Sequence, residues 1–150
     1  MAPVRPPDEL SDHALLDVFD RGTLDPTKFE HRHHVRVAWL YLRQLPLPVA
    51  LERIAAGIRR YTQALGQPER YHETITWAFT FVIHDRVQDA PEATWEEFVA
   101  RNPDLLTWGP VSVLDRYYER RTLFSERARR TFVMPDRLRR VTVRKDRTAG

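Results

Sequence analysis

Four stretches of the chain repeat apolar residues every three or four positions, and this helical period limits the fold more than any other sequence feature. Most prolines fall between these stretches, where they end one helix and precede the next. The predicted principal helices cover residues 8–20, 27–45, 48–65 and 71–87. Shorter helices are predicted at 94–100, 111–118 and 125–133. The sequence therefore predicts an all-α, single-domain bundle of four principal helices plus short C-terminal helices.

Local signals support several of these boundaries. Thr27 with Glu30, and Thr94 with Glu97, have the spacing of a capping box, and Ser125 is a typical N-cap residue. The segment 75–83 is almost continuously apolar, which predicts a helix buried on several sides. The covering surface could belong to the same subunit or to a partner, so a homodimer stays open.

Charge separates the chain into a body and a tail. Residues 137–150 hold six of the 24 basic side chains but one of the 21 acidic ones, so the body is slightly acidic. We predict one domain over residues 8–136 and a basic, poorly ordered tail over 137–150. A basic tail can bind phosphates nonspecifically, but a solvated chain end is the commoner case, so a nucleic-acid partner is not expected.

Composition favours a cytoplasmic protein. The chain has no cysteine, which excludes disulfides, iron–sulfur clusters and cysteine nucleophiles. No apolar run approaches the roughly 20 residues that a membrane span requires. The first ten residues lack the apolar core of a signal peptide. We therefore expect no membrane partner.

The main chemical signal is a group of histidines in the second helix. His31 and His34 are three residues apart, so they lie on one helix face, which also carries the apolar Val35 and Ala38. His33 is predicted to point outward. Two imidazoles at this spacing on an inner face can share one metal ion.

A third histidine, His72, lies on the inner face of the fourth helix, near its start. If the two helix starts lie at the same end of the bundle, the three imidazoles converge. Three neutral histidines typically bind catalytic zinc, and iron, manganese, copper or nickel also fit. The positive end of a helix dipole and burial both favour the neutral form that metal binding requires.

Other interpretations of the same residues are open. The pocket could work without metal, or the histidines could be core residues hydrogen-bonded to Thr76, Tyr71 or backbone carbonyls. Glu73 is a candidate fourth ligand or general base, or simply a carboxylate that stabilises a helix N-terminus. Thr76, one turn after His72, could orient the His72 ring or only pack beside it.

These residues predict a mononuclear metal-dependent enzyme, a hydrolase or lyase, acting on a small molecule. The metal ligands would be His31, His34 and His72, with Glu73 and Thr76 as catalytic residues. The alternative is a sensor or carrier that holds a metal or a small ligand without turnover. Phosphate-binding glycine loops and the zinc motif H-E-x-x-H are absent from the sequence.

Five segments follow one another in a distinctive order. They are F-x-H-x-x-H-V-R-x-A-W-x-x-L at 29–42, Y-H-E-T-I-T at 71–76, N-P-D-L at 102–105, Y-Y-x-x-x-x-L at 117–123 and P-D at 135–136. In these segments the chain resembles a family of small, uncharacterised bacterial helical proteins, over about residues 8–138. The resemblance implies one intact domain centred on His31, His34 and His72. It implies no substrate.

Overall fold

The computed structural model describes residues 5–109 and 111–137, and within them the chain is helical without any strand. The helices are α1 (Asp12–Arg21), α2 (His31–Gln44), α3 (Leu47–Ala64), α4 (Glu73–Asp89), α5 (Trp95–Arg101), α6 (Arg120–Leu123) and α7 (Glu126–Arg130). Short 3₁₀ turns cover Pro7–Glu9, Pro68–Arg70, Pro103–Leu105 and Val113–Arg116. The predicted all-α fold with four principal helices is confirmed.

Side-chain caps explain where several helices begin. Ser11 accepts a hydrogen bond from the Ala14 amide and starts α1. Thr94 and Glu97 form the predicted capping box of α5. Ser125 accepts from the amide of Ala128 and starts α7, also as predicted. Each cap satisfies an amide that has no partner inside its own helix.

Several predicted helix boundaries were wrong, including the end of the last helix, which lies at Arg130 and not at Val133. The second helix begins at His31 and not at Thr27, because Thr27 binds the Asp25 carboxylate through both its amide and its hydroxyl. The first helix begins only at Asp12, after a separate 3₁₀ turn. The predicted helix at 111–118 is a 3₁₀ turn over Val113–Arg116, where Asp115 accepts from the Ser112 amide.

Helix α4 is the centre of the bundle. It packs against α2, α3 and α7, and its buried residues lie on several sides, as the sequence predicted. Thr74, fully buried on α4, donates to the carbonyl of Thr131 and accepts from the amide of Val133. These bonds attach the C-terminal segment to α4.

Helix α1 closes one side of the bundle through a close contact with α3. A Cβ atom at Gly57 would lie 2.1 Å from Cε1 of the buried Phe19. The Phe19 ring can therefore rest on the α3 backbone only because residue 57 has no side chain. Helix α1 thus packs against both α2 and α3.

Two further sequence expectations concern membrane-spanning helices and the basic tail. No helix within residues 5–109 and 111–137 is long and apolar enough to cross a membrane. The predicted basic tail falls almost entirely on residues 138–150, which lie outside the described residues.

Candidate functional site

A cavity of about 420 Å³ lies among α2, α3 and α4. Apolar side chains form most of its wall, and Trp108, in the loop after the Pro103–Leu105 turn, lies at its edge. His31, His34 and His72 all line it. The structure thus brings the three predicted histidines to one cavity, but it gives each of them a different set of partners.

His31 has one ring nitrogen bound and one unbound. Its Nε2 lies 2.8 Å from the carbonyl oxygen of Leu105. A carbonyl only accepts, so Nε2 carries the proton and Nδ1 of the neutral ring keeps a free lone pair. The ring stacks on Trp108 and meets the edge of Phe79. Burial lowers the pKa of His31 below its ordinary value, partly offset by the hydrogen bond to Leu105.

His34 has no hydrogen-bond partner for either ring nitrogen among the described residues. Its ring lies 4.3 Å from the Phe29 ring and 5.0 Å from the Tyr61 ring, centroid to centroid. Burial, with repulsion from His31 and His33, lowers the pKa of His34 to about 3. His34 is therefore a neutral imidazole, with one donor and one acceptor, in a mainly apolar cavity.

His72 is satisfied on both sides by the backbone. Its Nδ1 accepts from the amide of Ile75 at 3.0 Å, so the imidazole acts as the N-cap of α4. Its Nε2 donates to the carbonyl of Leu123 at 2.7 Å. Burial lowers the pKa of this ring and keeps it neutral. A metal ion could bind His72 only after one of these bonds was broken.

The described residues contain no group of three or more His, Cys, Asp or Glu side chains arranged to hold a metal ion. Of the three predicted ligands, only His31 and His34 have a ring nitrogen without a protein partner. The three-histidine metal site stays a prediction, and only two of its three rings could bind a metal without breaking a hydrogen bond of the described residues.

The two predicted catalytic residues lie differently. Glu73 accepts from the hydroxyl of Tyr71 at 2.7 Å and from Arg59 at 3.1 Å, and it does not line the cavity. Thr76 does line the cavity, and its hydroxyl donates to the carbonyl of His72. Thr76 therefore orients no imidazole nitrogen, but its oxygen can still accept a hydrogen bond from a ligand.

His33 was predicted to point outward, and this prediction was wrong. The ring is buried, accepts from the amide of Glu30 through Nδ1 and donates to Asp8 through Nε2. An ideal helical angle fails here because His33 lies in the first turn of α2, where its ring folds back to cap the helix. The His33 ring also stacks on Phe29, and Phe29 in turn contacts the His34 ring.

The N-P-D-L segment positions the acceptor of His31. Arg86 on α4 donates to both carboxylate oxygens of Asp104, at 3.1 and 2.9 Å, and to the side chain of Asn102 at 2.7 Å. These bonds hold the Pro103–Leu105 turn against the bundle, where the Leu105 carbonyl meets His31. The N-P-D-L motif does not line the cavity, but by holding the Leu105 carbonyl it sets the orientation and the tautomer of His31.

The two later motifs position the acceptor of His72 in the same manner. Asp136 accepts from the amide of Glu119 at 2.8 Å and from the hydroxyl of Thr122. It therefore holds both ends of the segment that leads to the Leu123 carbonyl. Tyr118, fully buried, donates to the Val133 carbonyl and keeps the final segment beside it.

Several cavity residues were not among the predicted site residues. Trp108, Tyr61 and Arg70 line the cavity from three different segments, and only the tertiary fold brings them together. Arg36 of α2 does not line this cavity and donates to Asp12 and to the Leu10 carbonyl.

Comparison of the chain with protein-family models, with curated proteins and with solved structures produced no match. The resemblance to the small bacterial family therefore stays a prediction.

The positioning motifs can be tested through the tautomers of the two histidines. We expect ¹⁵N NMR to show both His31 and His72 protonated on Nε2, as donation to a carbonyl requires. Arg86→Gln should shift the His31 ring resonances and leave those of His72 in place, and Asp136→Asn should do the reverse. Each variant is the control for the other. Equal shifts at both rings in both variants would contradict separate positioning.

The neutral state of His34 predicts an acid-sensitive fold. Well above its ordinary pKa of 6.5 the ring is neutral in both states, and as pH falls through that value towards about 3 only the unfolded chain takes up the proton. The free energy of unfolding should therefore fall with pH, by up to about 1.4 kcal/mol per pH unit for this ring. His31 and His72 act in the same direction.

Urea unfolding between pH 7 and pH 5 measures this loss before most carboxylates titrate. His34→Gln should make the slope shallower by about 1 kcal/mol per pH unit. His13→Gln, at an exposed histidine of α1, should leave the slope unchanged. A parental slope in the His34 variant would show that His34 is not held neutral.

Proposed function

We propose that the protein binds a small organic molecule in the cavity among α2, α3 and α4. The observation that carries this proposal is His34, an imidazole that has no hydrogen-bond partner among residues 5–109 and 111–137, in a mainly apolar cavity. The His34 side chain is only partly buried, and its two ring nitrogens are not sealed in the packed core, so a molecule that enters the cavity can reach them. A bound ligand supplies the missing partner.

The size and lining of the cavity suit such a ligand. Small-molecule sites typically measure about 300–1,000 Å³ and combine apolar walls with a few polar groups. The cavity, at about 420 Å³, offers two imidazoles and the hydroxyl oxygens of Thr76 and Thr80 among aromatic and aliphatic side chains. This arrangement can orient one polar group of a mainly apolar molecule.

A second depression, of about 470 Å³, lies between α2 and the residues that precede α5. Charged side chains line it, and several already pair with one another, as Arg32 does with Asp8 and Arg36 with Asp12. Because these pairs satisfy their own charges, this depression makes a weaker case for a ligand than the histidine cavity does.

The second candidate is a mononuclear metal-dependent hydrolase or lyase that uses the same cavity. It is favoured by the bond from His31 to a backbone carbonyl, which resembles the outer-shell bond of most metal-binding histidines. Zinc is the first choice, with His31 and His34 as ligands, and it would activate water or polarise a substrate oxygen. Glu73 could act as a base there only after leaving Tyr71 and Arg59.

The location of the protein is a proposal of the same kind. A cytoplasmic small-molecule-binding protein agrees with a chain that has no cysteine. The homodimer also stays a proposal.

Filling the cavity tests the leading proposal. Ile58 on α3 lines the cavity, and Leu51 on the same helix is similarly half-buried but does not. We expect the uncharged fluorescent probe N-phenylnaphthylamine to bind the parent protein at one saturable site. Ile58→Trp should weaken that binding by about tenfold or more because the indole occupies the space, whereas Leu51→Trp should not. Equal binding by both folded variants would place the probe elsewhere.

Metal analysis tests the second candidate. Untagged protein supplemented with zinc should retain about one equivalent after dialysis, and His31→Ala or His34→Ala should lose it. His84→Ala, on α4 outside the cavity, is the matched control. Less than about 0.1 equivalent of any transition metal in the supplemented parent protein would exclude a tight site.

A further inference from the structure

We propose that the ligand of the histidine cavity is an uncharged, planar molecule with a hydroxyl group, an aromatic alcohol or phenol, that donates to Nδ1 of His31. This inference rests on the proposed small-molecule function and adds the chemical class of the ligand. It follows from which cavity groups can donate, which can only accept, and what surrounds them.

The acceptor is set by the fold. Because Nε2–H of His31 is committed to the Leu105 carbonyl, Nδ1 presents a lone pair and no proton. The Arg86–Asp104 pair holds that carbonyl in place, so the ring cannot reverse its tautomer without losing the bond. A ligand group at His31 must therefore supply a hydrogen.

His34 complements this acceptor. Because neither nitrogen is hydrogen-bonded within the part of the chain that the structure describes, the neutral ring offers an N–H donor and an acceptor to the same cavity. A hydroxyl group both donates and accepts, so it can donate to His31 and accept from His34. Carbonyl and ether groups only accept, and would set their lone pairs against that of Nδ1.

The surroundings select a planar, uncharged body. Trp108 and Phe79 adjoin His31, and Phe29 and Tyr61 flank His34, which favours stacking with another ring. The charged residues that line the cavity, Glu30 and Arg70, are both exposed, and Glu30 already pairs with Arg32. A carboxylate inside would lose its hydration without a buried cation to compensate, and it has no hydrogen to donate.

A matched series of probes separates these possibilities. We would measure the Kd of a naphthol, its methyl ether and the corresponding naphthoate by calorimetry at pH 7.5, with the parent protein and with His31→Phe. The naphthol should bind about three- to tenfold more tightly than the ether and more tightly than the naphthoate. His31→Phe should bind naphthol and ether equally. Tightest binding by the naphthoate, or equal binding of all three to the parent, would overturn the hydroxyl assignment.

Two further measurements keep the result interpretable. If His31→Phe fails to fold, ¹⁵N NMR of the parent protein replaces it: naphthol should shift His31 Nδ1 more than the ether does and should leave both nitrogens of His72 unmoved. An unmoved Nδ1 in saturated protein would contradict the proposal. If N-phenylnaphthylamine and all three naphthyl probes fail to bind, the proposed function itself fails. If they bind without preference, only the ligand class fails.

Discussion

The hydrogen bonds from His31 to the Leu105 carbonyl and from His72 to the Leu123 carbonyl join residues 74 and 51 positions apart. Each bond ties the start of a principal helix to a short turn or helix from the C-terminal part of the chain. A buried imidazole N–H without a partner is costly, so these turns must return to the bundle at these two points. The ion pair of Arg86 with Asp104, and the bonds of Asp136, make that return specific. The remaining geometry of the cavity depends on these two hydrogen bonds.

The same hydrogen bonds give four neighbouring histidines different roles. His72 and His33 use both ring nitrogens to join the chain together. His31 uses one nitrogen in this manner, and His34 uses neither. Burial keeps the three cavity imidazoles neutral, so they differ only in how many ring nitrogens have no hydrogen bond to the described residues. The chemistry of the cavity is therefore set by which hydrogen bonds the scaffold has already formed.

Much of the fold could be predicted because its causes are local. The apolar period of α2 placed His31, His34, Val35 and Ala38 on one face, and all four line the cavity. The caps at Thr94 and Ser125 were recognisable because a capping side chain binds an amide three residues away. His33 shows where this reasoning stops, since its partner Asp8 lies 25 positions away and no periodicity reports such a contact. Trp108 and Tyr61 also line the cavity from distant segments, so helical periodicity could not assign them to the histidines.

The sequence by itself determined the helical class, the principal helices and the presence of His31, His34 and His72 on inward faces, because each follows from contacts within three or four residues. Only the tertiary structure decided which ring nitrogens remain free, because the Nε2 atoms of His31 and His72 bind backbone carbonyls far along the chain. Every residue has a carbonyl, so its presence carries no sequence signal, and only packing decides which carbonyl meets which imidazole. The same packing pairs Glu73 with Tyr71 and Arg59 outside the cavity, and leaves both ring nitrogens of His34 without a partner among the described residues.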